Sequence, residues 1–393
     1  MPAHIFYLLV TTGIQALVTM AMATVPVLAP KIGEELGGPA ILVGYYAALA
    51  YATATMTTLP GGRLVERFGP IRMSQICLGL CAAGLAIGTA GNFAALALSA
   101  VVVGAGLGPT TPASAHVLIR TAPAQLMSFT FSVRQTGVPI GVALAGIFVP
   151  LLVAGFGWRG ALLAVSAYCT VLAAAIQPLR ARLDQGSKQP GPPGRIWDGL
   201  RIVASSRLLV GMAVGSFFFA GMQHCFVTYI VSYLTADFGM SLAAAGGMLT
   251  LAQLGGIISR LVWGVAAERW IRSRLLLGLL GLGMAASALL TAAMTSQWPT
   301  ALIAGVAALF GATAIGWNGV YLAEVARLVP RQEVSAATGG TLFFTYLGMV
   351  VNPLLFGGIV TATGSYGAGF ALIALPVAGC AILLLRLREI KKS

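Results

Sequence analysis

Long apolar stretches follow one another through this chain and leave few residues for any other kind of structure. They fall at 5–28, 40–60, 73–91, 94–117, 127–153, 159–178, 208–233, 241–265, 273–293, 299–322, 336–361 and 366–386. At a rise of about 1.5 Å per residue, a helix over each can cross about 30 Å of hydrocarbon. Only 8% of the 393 residues are charged, against about 25% in a soluble domain. That excludes a water-soluble multidomain architecture. A β-barrel is excluded too, because the runs are too long and do not alternate. The expected fold is an all-α membrane protein with twelve transmembrane helices.

Charge gives this parse its sides. There are 23 Lys and Arg against 10 Asp and Glu, a balance that in a soluble protein would suggest nucleic acid. Here no basic helix, zinc-ligand spacing or aromatic-basic alternation supports that partner. With both termini on one side, Arg63, Arg67, Arg72, Arg120, Arg180, Arg182, Lys188, Arg195, Arg201, Arg207, Arg269, Arg272, Arg274, Arg327, Arg331, Arg386, Arg388, Lys391 and Lys392 gather on that side. Lys31 and Arg159 lie at opposite turns, and the turns at "GTAGN" and "MTSQWPT" carry no basic residue. The positive-inside rule makes the basic face cytoplasmic. The first run has no basic n-region before "AMA" and is read as an uncleaved span. Cys77, Cys81, Cys169, Cys225 and Cys380 all fall in apolar segments and read as buried packing residues.

The runs divide six and six about residues 179–207, where Pro, Gly, Ser and charges concentrate and "RIWDGLRIV" suggests a short interfacial helix. The expected organisation is a six-helix bundle over 1–178, a cytoplasmic linker over 179–207 and a second six-helix bundle over 208–393. The halves echo one another. "GGRLVERFG" at 61–69 and "WGVAAERWI" at 263–271 share G-x-x-x-E-R after the second span of each half, and "GFGWRGALLAVSA" and "TGSYGAGFALIAL" precede spans six and twelve. Duplicated six-helix units are characteristic of alternating-access transporters.

With these features the chain resembles the major facilitator superfamily over its whole length. The family loop signature, roughly G-x-L-x-D-R-x-G-R, reads here Gly62-Arg63-Leu64-Val65-Glu66-Arg67-Phe68-Gly69, with Glu66 for the usual Asp and Pro70 for the next basic residue. The fifth-helix signature appears, loosened, as "GVPIG" over Gly137–Gly141, and the fourth-helix arginine of many proton-coupled members is absent. Gly62 and Gly69 suit a tight turn and close helix approach. Glu66 and Arg67, and their counterparts Glu268 and Arg269, are gating candidates: the carboxylates would pair with arginines or cap a neighbouring helix. The other reading is that they are solvated topology charges.

Charges inside spans are costly and tend to face a cavity. Arg260 lies in span eight on a strip with Gln253, Gly256 and Trp263. Arg260-x-x-x-Gly264 also looks like the eighth-helix pattern of monocarboxylate and oxalate transporters, in which that arginine holds the substrate carboxylate; a structural inner-gate residue is the competing reading. Arg134 lies in span five among Gln135, Thr136 and Pro139, and is either a second cationic group for an anion or a network partner near enough to the interface to snorkel. A guanidinium suits a carboxylate because it offers two parallel donors and keeps its charge. Gln15 in span one, Trp317 and Asn318 in span ten, and Thr345 and Asn352 on the Thr341-Thr345-Gly348-Asn352 strip complete the candidate substrate site, with helix packing as their other reading.

No Asp or Glu sits securely within a span. Glu324 is expected near the inner end of span ten beside Arg327 or Arg331, and Leu249 stands where the monocarboxylate family carries its membrane carboxylate. The proton-coupling candidates are therefore His224, on a semi-polar strip with Gly221 and Thr228, and His116, since imidazole titrates near neutral pH; a hydrogen-bonded structural histidine is the other reading. A protonated substrate, or exchange against another anion, would serve instead.

The expected protein is a secondary transporter of the bacterial inner membrane, both termini cytoplasmic. It would act as a monomer in lipid and carry a small organic anion, a mono- or dicarboxylate, by rocking of the two halves, with protons or a counter-transported anion as coupling partner. No nucleotide motif, metal cluster or nucleophile constellation points to an enzyme, an ATP-driven pump or a cofactor. The competing function is efflux of neutral or amphipathic drug-like compounds. A channel or sensor lacks a pore motif or an added soluble domain.

Overall fold

The computed structural model describes residues 3–36, 42–184, 197–240 and 242–386. Lys188, Arg195, Arg388, Lys391 and Lys392, and residues 185–196 of the linker, lie outside the described residues. The first sequence half forms α1 (Ala3–Leu36), α2 (Leu42–Thr58), α3 (Gly61–Phe68), α4 (Pro70–Gly88), α5 (Phe93–Thr121), α6 (Met127–Gln135) and α7 (Gly137–Ala175). Within the linker, α8 (Arg180–Leu183) and α9 (Asp198–Ala204) follow, the latter on the stretch expected to form a short helix. The second half forms α10 (Arg207–Ala236), α11 (Leu242–Arg269), α12 (Ser273–Ala293), α13 (Thr300–Ala314), α14 (Asn318–Arg327), α15 (Val334–Thr363) and α16 (Tyr366–Arg386).

Among the described residues, ten helical segments are long and apolar enough to cross a membrane. One of them, Ala124–Leu183, contains two spans. Gly137 and Gly141 pack in order along Thr12 and Ala16 of α1. Beyond Gly157, whose φ of 66° and ψ of 175° leave the helical region, the chain returns against α4: Ser166 donates to the Ala82 carbonyl and Gln75 to the Ala173 carbonyl. Glycine is the residue that reaches positive φ without a steric penalty. With the 17-residue α2, the spans number twelve.

Two compact units account for these helices, and they follow the sequence halves except for two segments. The unit built on the first half also holds residues 329–343, the beginning of α15. The unit built on the second half also holds 125–133, most of α6.

The repeat recurs in packing. In one unit, a side chain at Gly104 of α5 would fall on the Ala50 carbonyl of α2; in the other, one at Gly311 of α13 would fall on the Ala252 carbonyl of α11. Similarly, Gly141 of α7 lies against the Ala16 carbonyl of α1, and Gly348 of α15 against the Phe217 carbonyl of α10. Lipid gives apolar helices no hydrophobic reason to associate, so close backbone approach at small residues carries their packing. "GVPIG" is thus the seam between spans five and one. Cys77, Cys81, Cys169, Cys225 and Cys380 are buried free thiols within this packing.

Candidate functional site

In the unit built on the second half, span ten is not continuous. α13 ends at Ala314 and α14 begins at Asn318, and the opened turn exposes carbonyls that a continuous helix would satisfy. Arg260, 2% exposed, donates from Nε to the Ile315 carbonyl at 3.0 Å. One turn further along α11, Trp263 donates from Nε1 to the Ala312 carbonyl at 2.9 Å. Gly256 on the same strip lies against Ile315. The strip read from the sequence therefore faces the break in span ten.

A second strand of polar contacts reaches that break from α10. Trp317 Nε1 and Asn318 Nδ2 both donate to Gln223 Oε1, each at 3.2 Å. Asn318 Nδ2 also lies 3.5 Å from the Ile315 carbonyl, so Arg260 and Asn318 converge on one oxygen. Trp317 is fully buried, edge-on to Phe219 and Tyr321. Gln223 was not among the sequence candidates. Its neighbour His224 drew attention as a titratable group, whereas a glutamine in a helix of mixed polarity carries no distinguishing signal.

In the unit built on the first half, Arg134 is 1% exposed and turns toward α5. It donates to Thr111 Oγ1 at 3.1 Å, Ser114 Oγ at 3.0 Å and the Thr110 carbonyl at 3.4 Å, and also to Gln135 Oε1. It does not snorkel; burial of its charge is supported by hydroxyl and carbonyl oxygens. Gln15 is buried at the seam of α1 and α7, where its amide donates to Thr19 Oγ1.

The other candidates divide. Gln253 is half-buried on α11. Thr345 donates to Ser216 Oγ at 3.0 Å, and Asn352 donates to the Gly348 and Phe217 carbonyls while filling the space beside Gly221. Their strip is engaged with α10 as a helix seam. His224 is half-buried in mid-α10. His116 sits one turn before Arg120 near the end of α5, where Nδ1 meets Ser335 Oγ at 3.2 Å and Ser335 in turn donates to the Pro112 carbonyl.

The gating candidates occupy two different settings. Glu268 binds Arg327 through both carboxylate oxygens at 3.1 Å and accepts the backbone N–H of Ser128 at the start of α6. Arg327 also donates to Ser273 Oγ at 2.7 Å; it therefore goes to Glu268 and not to Glu324, its neighbour in sequence. Gly264 and Gly319 close on Ser132 from either side. In the other unit Gly62 lies against the backbone of Ala336, and it does so from inside α3, so the expected turn at Gly62 is instead helix. The turn is at Gly69 alone, with φ 88°.

Asp184 fills the space beside Gly69 and accepts Ile71 N at 2.9 Å and Arg72 N at 3.1 Å. The helix cap expected of Glu66 is thus made by Asp184 on the start of α4. Glu66 itself is exposed, and burial, followed by the Asp198 carboxylate, raises its pKa above the ordinary value. Arg67 stacks over Phe68, 5.3 Å from the ring centroid, and Arg269 is exposed at the end of α11.

Twelve apolar helices in two repeated sets, with guanidinium groups buried inside them and a broken span beside one, define a polytopic membrane protein of the transporter kind. The family model for the Major Facilitator Superfamily matches residues 11–339 and 232–393, and the chain belongs to that family. It is a transporter and not an enzyme, as its relatives are. The probable galactarate/D-glucarate transporter GudP of Bacillus subtilis is 23% identical over 94% of this chain and 89% of its own length. Monocarboxylate transporter 11 of Mus musculus is 28% identical over 87% of this chain and 77% of its own. Among solved structures, FucP in the outward conformation superposes with a TM-score of 0.77 at 16% identity, covering 98% of this chain and 100% of that one.

Proposed function

We propose that this protein carries a small organic acid across the bacterial inner membrane by alternating access of its two six-helix halves. The observation that carries the proposal is Arg260: a guanidinium buried within span eight, donating to a carbonyl freed by the break in span ten. An intramembrane charge is costly, and a fixed cation beside irregular backbone suits a carboxylate. Arg134 supplies a corresponding group in the other half. Gln253, Trp317 and Asn318 belong to the same site as Arg260; Gln15 supports the Arg134 side, and Thr345 and Asn352 fix α15 against α10. Relatives whose names give galactarate, D-glucarate and monocarboxylate as cargo support the class of solute.

The Glu268 and Arg269 loop, and the matching Gly62, Glu66, Arg67 and Gly69 loop, act as the cytoplasmic gate. Both termini are cytoplasmic, and the unit of function is the monomer in lipid. Where transport is coupled to protons, His224 is the titrating group; His116 is held with Ser335 at the gate. Exchange against a second anion is the other coupling consistent with these residues.

Uptake of labelled carboxylates into proteoliposomes, with and without an imposed pH gradient, tests the proposal. Arg260→Ala is expected to abolish carboxylate binding while the protein remains monodisperse in detergent. Unchanged affinity in that variant removes Arg260 from the site. Wild-type protein that moves neutral drugs and no acid overturns the function.

A further inference from the structure

We infer that Gln223 and Asn318 form a hydroxyl-recognition pair, so that the preferred cargo is a hydroxylated carboxylic acid and not its deoxy counterpart. The inference rests on the organic-acid reading above and adds to it a residue and a substrate class.

The orientation of both amides follows from one residue. The Trp317 indole N–H can only donate, so the Gln223 atom 3.2 Å from it is the carbonyl oxygen. That oxygen is also 3.2 Å from the Asn318 amide, which must then present its NH2 group. The Ile315 carbonyl on the other side of that NH2 requires the same assignment. Flipping either amide would set donor against donor or acceptor against acceptor. Two groups are left over: Nε2 of Gln223, a donor, and Oδ1 of Asn318, an acceptor. Neither has a hydrogen-bond partner among the described residues, and both side chains are only half-buried.

A donor and an acceptor left open on two amides joined by a hydrogen bond fit a hydroxyl, which accepts through its oxygen and donates its proton. A carboxylate can only accept and would face the Asn318 oxygen unfavourably. The carboxylate end of the cargo instead has Arg260, which meets Asn318 at the Ile315 oxygen. A cargo that carries both a hydroxyl and a carboxyl group engages both. Sites built to hydrogen-bond a substrate hydroxyl reject the analogue lacking it because their polar groups are then left unpaired.

The test is competition against transport of a labelled hydroxy acid in proteoliposomes, using galactarate against adipate and lactate against propionate. In wild-type protein one hydroxylated member is expected to bind at least about tenfold more tightly than its deoxy partner, the worth of one well-placed hydrogen bond. Gln223→Leu is expected to remove that preference, bringing the hydroxylated and deoxy members of the pair to equal affinity. Trp317→Phe, which removes the indole donor that orients the Gln223 amide, is expected to reduce the preference in the same direction. If Gln223→Leu does not fold, Gln223→Glu keeps the shape and replaces both donors with negative charge; it is expected to lose the hydroxy acid. Equal affinity for the members of each pair in wild-type protein, or an unchanged preference in a folded Gln223 variant, overturns the inference and leaves organic-acid transport standing. Failure of every acid to bind, with Arg260→Ala indistinguishable from wild type, overturns both.

Discussion

Glu268 grips Arg327 with both carboxylate oxygens and, with the first of them, also accepts the backbone N–H of Ser128. One carboxylate of the second sequence half thereby caps a helix of the first half and fixes an arginine at the end of α14. Gly264, four residues earlier, gives α6 room to approach. The corresponding position Gly62 gives the start of α15 the same room in the other unit.

Glu268→Gln should weaken this grip by about 1–3 kcal/mol, since charge-assisted hydrogen bonds are lost to a group only 9% exposed. The effect should appear as a lower thermal midpoint. It should also appear as faster labelling of a cysteine placed at Phe129 by an impermeant thiol reagent. Arg327→Gln should resemble it, and the double variant should cost less than the sum of the two, because the residues share the Glu268–Arg327 contact. The native cysteines are buried and give little background. Additive losses would mean that the two residues act independently.

Gly62→Val should cost about 1–3 kcal/mol by overpacking against the Ala336 backbone, which cannot yield as a flexible side chain would. Gly79→Ala is the matched control. Nothing lies within 4 Å of its added carbon, so helix propensity alone should make it neutral or up to about 1 kcal/mol stabilising. Thermal unfolding in one detergent compares the two.

Asp184→Ala should destabilise the protein by about 1–2 kcal/mol, because two N–H groups at the start of α4 lose their acceptor. Asp184→Asn should recover part of this, since its oxygen can still accept one bond. Glu66→Gln should not reproduce the loss at neutral pH. A large loss in Glu66→Gln alone would move the cap back to that residue.

Two carboxylates should respond to pH with opposite signs. Glu35 is held below its ordinary value of 4.5 by the hydrogen bond from Trp158 and then by Arg159. Its contribution is therefore full above about pH 4.5 and is lost as pH falls through the lower folded value. Wild type should exceed Glu35→Gln in thermal midpoint at neutral pH and converge with it in acid. Glu66 has a raised folded value, so the unfolded chain releases its proton first as pH rises. Glu66→Gln should match wild type below about pH 4.5 and be the more stable protein once pH passes the folded value.

Much of the architecture is legible along the chain because membrane insertion acts on local properties. Runs of apolar residues set the spans. Arg134 and Arg260 stand out because a charge in such a run is rare. The paired G-x-x-x-E-R stretches mark the two glycine contacts that the structure places at Ala336 and Ser132. Nothing local distinguishes Gln223, 94 residues from Trp317, or Asp184, 113 from Ile71. The break at 315–317 carries no proline, and it is completed by donors on α11 and an acceptor on α10 whose side chains reach it only after the helices pack. A bilayer reads hydrophobicity and charge one segment at a time. Hydrogen bonds between segments depend on which face each helix turns to its neighbours, and only the assembled tertiary structure decides that.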